Sequence, residues 1–145
     1  MEQNKYYTPE IEDLRVGYEY EFRYDEKHTW QKETIDICPQ LDHEQFDWVY
    51  GLLEKNNLRV PYLTKEQIVD EGWELTTIGA HFKCGFVYSK ISEDVEYRLN
   101  FEHCGYKKNL ITVIKVVNKD TLVSIFQGDC KSINELRIVE KLLNI

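Results

Sequence analysis

A chain of 145 residues, 42% hydrophobic and 30% charged, has the make-up of one soluble globular domain (1–145) that can bury a core without disulfide staples. Its formal charge of −8 argues against a nucleic-acid binder, whose affinity comes from Lys and Arg on phosphates, and equally against docking on an anionic membrane. No apolar run approaches the roughly 20 residues of a membrane span, and the start of the chain lacks a signal-peptide layout, so the expected setting is cytoplasmic.

Taken in chain order, Tyr6 to Ile11 has no period and reads as an extended arm. Val16, Tyr18, Tyr20, Phe22 and Tyr24 then alternate with Gly17, Glu19, Glu21 and Arg23, the pattern of a half-buried strand. Asp25 to His28 turns the chain, and Trp30 to Ile37 returns it as a hairpin. The apolar phase slips between Trp30 and the pair Ile35, Ile37, which predicts a bulge. Asp42 with Gln45 opens a helix of about 42–56, with Leu41 and Phe46 as its hydrophobic staple. Phe46, Val49, Tyr50 and Leu53 give that helix its buried stripe. A short strand over 58–62 follows, and Pro61 suits an edge position.

Thr64 with Gln67 forms a capping box, Leu63 with Ile68 a staple, and Gly72 a stop, which together predict a second, short helix. From Trp73 to Phe126 the chain reads as an antiparallel meander. Phe82, Cys84, Phe86 and Tyr88, then Val95, Tyr97, Leu99 and Phe101, keep period two across the polar connection Ser92-Glu93-Asp94. Leu110 to Val117 is almost continuously apolar, as expected of a strand covered on both faces. Leu122 to Phe126 closes the sheet. A third helix starts at Ser132, with Glu135 completing a capping box and Leu136, Val139, Leu142 and Leu143 on its apolar face. The expected fold class is α+β: a largely antiparallel sheet, built from the N-terminal hairpin and the C-terminal meander, with three helices packed on it.

Three stretches carry a resemblance. YYTPEIEDLRVGYEYEF is similar to the opening of a group of uncharacterised proteins of Bacteroidota and their phages, YLTKEQIVDEGWE to a segment recurring in small proteins of the same genomes, and FQGDCKSINELRIVEKLLNI to their usual close. Together they cover about a third of the chain. The resemblance implies a bacterial or phage setting and a capped C-terminal helix; no activity, cofactor or catalytic residue comes with it.

The chemistry-bearing residues do not assemble into a motif. His81, Cys84, His103 and Cys104 are the residue types of a zinc site, but adjacent strand residues point to opposite faces, and structural sites show tighter paired spacing. Buried thiols and ordinary histidines explain them better. Glu19 and Glu21 share a strand face, with Glu33 expected across the hairpin; a solvated outer face accounts for all three. Cys84 or Cys104 with a histidine would make a nucleophile, yet nothing fixes a base or an oxyanion donor. No Walker, Rossmann, GxSxG or HExxH pattern occurs.

What remains is surface. Ten Tyr and three Trp are more than one small core needs. Tyr6, Tyr7, Trp48 and Tyr106 fall off the apolar stripes and are the candidate binding residues. The expectation is a non-enzymatic binding or accessory protein that acts through contacts with a protein partner and needs no cofactor or metal. The alternative is a small-molecule-binding protein, or an enzyme without a recognisable motif, with its pocket between helices and sheet.

Overall fold

A computed structural model describes residues 5–78, 85–102 and 109–145. The fold is α+β, with two antiparallel sheets and three α-helices. The chain divides into two compact units, Met1–Tyr62 and Leu63–Ile145.

In the first unit β1 (Tyr6–Tyr7), β2 (Glu19–Phe22), β3 (Gln31–Thr34) and β4 (Leu58–Pro61) form a sheet in the order β1-β4-β2-β3. The opening residues are therefore a strand rather than an arm: Tyr6 stands opposite Pro61 and Tyr7 opposite Val60. β4 lies inside the sheet, and Pro61 is tolerated there because it ends the strand. Helix α1 (His43–Glu54) is capped by Asp42, whose side chain accepts the Gln45 N–H at 3.0 Å. Asn56, left-handed at φ 53°, follows its end. The expected staple does not form, since Leu41 is 86% exposed. The buried stripe is centred on Val49 and Leu52, while Tyr50 faces out and stacks on Phe46. These helix residues close over Tyr18, Tyr20, Phe22, Ile35, Leu58 and Val60, the core of the unit.

The hairpin register runs without a break from Glu19 opposite Thr34 to Phe22 opposite Gln31, so the expected bulge is absent between Trp30 and Thr34. The irregularity lies at the start of the other strand, where Gly17, at φ 85°, donates to the Ile35 carbonyl at 2.8 Å and Tyr18 accepts the Ile35 N–H at 2.9 Å, so that two residues face one. The apolar phase changes because Trp30 belongs to the outer face, where it stacks under Arg23 and Arg59, whereas Ile35 belongs to the inner one.

The second unit is a five-stranded meander, β5 (Glu74–Ile78), β6 (Gly85–Ser92), β7 (Val95–Glu102), β8 (Leu110–Asn118) and β9 (Thr121–Asp129), in that spatial order. Glu93 and Asp94, both at positive φ, make the tight β6–β7 turn. Helices α2 (Lys65–Asp70) and α3 (Ile133–Leu143) cover the face carrying Tyr88, Leu99, Phe101 and Val113. β8 is covered on that face alone: Ile111 and Val113 are buried, while Leu110, Thr112 and Ile114 stay half-buried. Both edge strands carry a register break, at Thr76 in β5 and at Ile125 in β9, a device that twists an edge away from further pairing.

The α2 capping box is complete, with Thr64 and Gln67 each accepting the other's backbone N–H at 3.2 and 3.0 Å. The one expected at α3 is not formed. Glu135 instead takes the Lys131 N–H, and the Ser132 hydroxyl is buried with no hydrogen-bond partner among the described residues. Leu142 points to solvent, and its place on the buried face is taken by Ile133 and Glu140.

Among the described residues, no helix is long and apolar enough to cross a membrane.

Candidate functional site

The alternation that builds β2 continues past the helix that covers it. Tyr20 and Phe22 are sealed under α1, but Tyr24, in register with them, is 55% exposed. On the returning strand Ile35 is buried and Ile37 is half open. Trp48, on the α1 flank beside Val49, leans over this uncovered end. The result is a cavity of about 460 Å³ between the inner face of the hairpin and the first turns of α1. That is within the size range of small-ligand sites.

Its aromatic wall is closely specified. Phe22 and Tyr24 have ring centroids 5.4 Å apart and planes at 83°; Phe22 and Trp48 are 5.7 Å apart at 76°; Tyr24 and Trp48 are 5.7 Å apart at 56°. The Trp48 side chain faces the Tyr20 hydroxyl across this wall. Beyond Tyr24 the His28 ring makes an edge contact at 5.7 Å, and Asp25 holds His28 through a 2.7 Å bond to Nδ1.

The polar wall comes from β3 and the residues after it. Glu33 stands opposite Tyr20 in the ladder, so it lies on the inner face with the rings and not beside Glu19 and Glu21. Asp36 and Gln45 complete this side. The field of the acids reaches the rings: burial lifts the Tyr20 phenol above its ordinary value near 10.0, Glu33 and Asp36 add to the rise, and the Trp48 hydrogen bond opposes it. Among the described residues, no Lys or Arg lines the cavity. Met1–Tyr62 also holds 14 Asp and Glu against seven Lys and Arg, so it carries −7 of the chain's −8.

The outer face of the same sheet is occupied by its own side chains. The Arg59 guanidinium lies between the rings of Tyr6 (3.6 Å) and Trp30 (3.9 Å), and Glu21 pairs with it at 2.7 Å. Arg23 covers Trp30 from 4.7 Å and donates to Asn57 at 3.0 Å. Glu21 is thus a structural partner of Arg59, and the expected trio of Glu19, Glu21 and Glu33 is split between two faces.

Of the candidate binding residues, Trp48 sits in the cavity wall. Tyr6 is half-buried beneath Arg59. Tyr7 is half-buried too, its hydroxyl 3.1 Å from that of Tyr18 and its ring 5.1 Å from that of Tyr62. Tyr106 and the four zinc candidates His81, Cys84, His103 and Cys104 lie outside the described residues. Among the described residues, no group of three or more His, Cys, Asp or Glu is placed to hold a metal ion. The alternation alone reads Tyr20, Phe22 and Tyr24 as core and puts Glu33 on a solvated outer face with Glu19 and Glu21; Asp36 and Gln45 gave no sign of a site. The usable signal was the length mismatch, an apolar row of five alternate positions facing a helix stripe too short to cover it.

Compared with known proteins, the chain matches no family model, no curated protein and no solved structure.

In the second unit the buried charged group among the described residues is Glu140. It accepts the Trp73 indole N–H at 2.8 Å and pairs with Lys90 at 2.7 Å, and Lys90 also donates to the Glu71 carbonyl at 3.0 Å. Arg137 pairs with the Glu71 side chain at 2.6 Å. These bonds tie α3 to the sheet and to the end of α2, and every charged group in them has its partner. This is a lock, not a site.

Proposed function

We propose that the protein is a non-enzymatic binding protein of a bacterial or phage cytoplasm, and that its working surface is the aromatic cavity of the first unit. The observation that carries this is the pairing of an open, ring-walled cavity with carboxylates that no cation among the described residues neutralises. Binding sites are concave and pair apolar walls with a few convergent polar groups; here aromatic and aliphatic side chains share the lining with Glu33, Thr34, Asp36 and Gln45, a more polar mixture than is usual. Among the described residues its lining holds no thiol, histidine or lysine, and its rings and carboxylates are groups suited to capturing a ligand. The bacterial or phage setting rests on the resemblance of the opening and closing segments. An accessory role, with the bound group presented by a protein partner, is compatible with the same surface.

The test uses the full chain and a Tyr24→Leu variant, chosen because Tyr24 is exposed and its loss spares the core. Both are incubated with a bacterial extract, washed, and their retained small molecules and peptides identified by mass spectrometry. The expected result is a species held by the wild type and lost from the variant. Retention that is equal in the two proteins, or nil in both, would remove the cavity as the working surface.

A further inference from the structure

Resting on that reading, we propose that the cavity is a receptor for an alkylated ammonium group, a trimethylammonium head such as that of a choline-like molecule or a trimethylated lysine side chain.

Three observations converge on this class. The first is the ring geometry. If three mutually perpendicular ring faces surround a cation at about 4 Å each, their centroids stand about 5.7 Å apart, within the range of cation–π attraction. The three separations here are 5.4, 5.7 and 5.7 Å; two of the pairs are near perpendicular, at 83° and 76°, and the Tyr24–Trp48 pair is inclined at 56°. Rings touching edge to face have similar separations; what distinguishes this set is that Phe22, Tyr24 and Trp48 all bound one void. The second is charge. Among the described residues no Lys or Arg pairs with Glu33 or Asp36, and Glu33 accepts the Thr34 backbone N–H at 3.1 Å, whereas the carboxylates of Glu21, Glu71, Glu96 and Glu140 all have cationic partners. An anion is repelled here, and the −7 of the unit extends that preference beyond the mouth.

The third is the shortage of acceptors deep in the site. A primary ammonium or a guanidinium needs several acceptors to replace its water, and the buried part of the lining, Tyr20, Phe22 and Ile35, offers among its side chains only the Tyr20 phenol oxygen. A trimethylammonium group has no N–H to satisfy. It presents polarised methyl groups to ring faces and leaves the carboxylates at the rim to act through space. About 460 Å³ leaves room for a substituent beyond the head, which would leave through the open side beside Tyr24 and Ile37.

The experiment compares choline with 3,3-dimethylbutan-1-ol, its neutral carbon isostere, by calorimetry on the full chain, with the tryptophan indole N–H resonances as a site-specific reporter. Choline should bind saturably and shift the Trp48 resonance, and the neutral isostere should bind at least tenfold more weakly. Tyr24→Leu should lose tenfold or more, and the Glu33→Gln/Asp36→Asn pair several-fold, with both variants keeping the wild-type circular dichroism. A peptide bearing trimethyl-lysine, run beside its unmodified form and free choline, separates the two sources of the head group. If the isostere binds as well as choline and still shifts Trp48, the cavity reading stands and the cation inference falls. If neither choline nor the trimethyl-lysine peptide binds saturably, or if choline binds without moving Trp48, the inference also falls, whatever the extract experiment retains.

Discussion

Replacing Lys90 by Met should destabilise the second unit by about 3 kcal/mol. Lys90 and Glu140 meet at 2.7 Å with side-chain exposures of 22% and 8%, so the carboxylate is the more deeply buried partner. Methionine keeps most of the stem that lies beside Trp73 and removes only the charge and its donors. Glu140 would then be left in the core with a single donor, the Trp73 indole N–H. Breaking a buried ion pair from one side costs about 3–5 kcal/mol, and the partial exposure of Lys90, which lets water reach the orphaned acid, argues for the lower end. Glu140→Gln should be milder, about 1–2 kcal/mol, because an amide oxygen can still accept from Trp73. The two changes share one interaction, so the double variant should cost at least about 1 kcal/mol less than the sum. Urea unfolding in a Trp30→Phe/Trp48→Phe background makes Trp73 the sole emitter and reads this unit directly. A Lys90→Met cost below about 1 kcal/mol, or strict additivity, would show that the pair does not join α3 to the sheet.

Thr64→Ala should cost the second unit about 1 kcal/mol, seen as a lower urea midpoint with an unchanged slope, because both capping-box bonds are in place. Ser132→Ala should be neutral or stabilising by up to about 1 kcal/mol, since its hydroxyl is buried with no hydrogen-bond partner among the described residues; a loss like that of Thr64→Ala would mean that the hydroxyl does cap α3. Burial pushes the Cys130 thiol well above its ordinary value near 9.0, with Glu135 and then Glu140 adding to the rise. The unfolded chain therefore gives up this proton first as pH rises. Stability is intact below pH 9.0 and falls above it, by about 1.4 kcal/mol per pH unit while the folded thiol stays protonated. Cys130→Ala should flatten that alkaline limb in urea melts between pH 8 and 10. An identical slope in the variant would refute the assignment.

What was legible in the sequence was what neighbours in the sequence decide. Caps at Asp42 and Thr64, stops at Asn56 and Gly72, and the period-two rows of β2, β6 and β7 depend on residues a few positions apart. Errors arose wherever a distant partner chooses. Trp30 looks like a slipped strand residue until Arg59, on another strand, supplies the cation that holds it on the outer face. Leu142 fits an apolar helix face as well as Glu140 does, and Glu140 is inside only because Lys90 and Trp73 meet it there. Ser132 and Glu135 have the spacing of a box, but the Lys131 N–H competes for Glu135. The division after Tyr62 has no Gly, Ser or Pro tract to announce it; Tyr62 bonds back to Lys5 while Leu63 bonds to Lys131. The acid excess of the first unit was therefore hidden in a chain-wide total.

The hairpin shows how one alternating sequence yields two surfaces with opposite fates. Even positions of β2 face α1 and odd positions face out, and the antiparallel register converts this to odd positions inward on β3. Glu33 is odd, so the pleat turns it toward Tyr20, against what its chemistry alone would choose. On the outer face the charges close on each other: Glu21 with Arg59, and Arg59 and Arg23 with Trp30. The inner face has rings and acids but no Arg or Lys among its described lining. Burying an unpaired carboxylate there would cost several kcal/mol, and the fold avoids this by stopping α1 short of it. The opening that keeps Glu33 and Asp36 in water is the same opening that exposes Tyr24 and Trp48. A cavity of this kind is the physical consequence of placing acids on the aromatic side of a strand, and a bound cation would supply the partner that the outer face finds in Arg59.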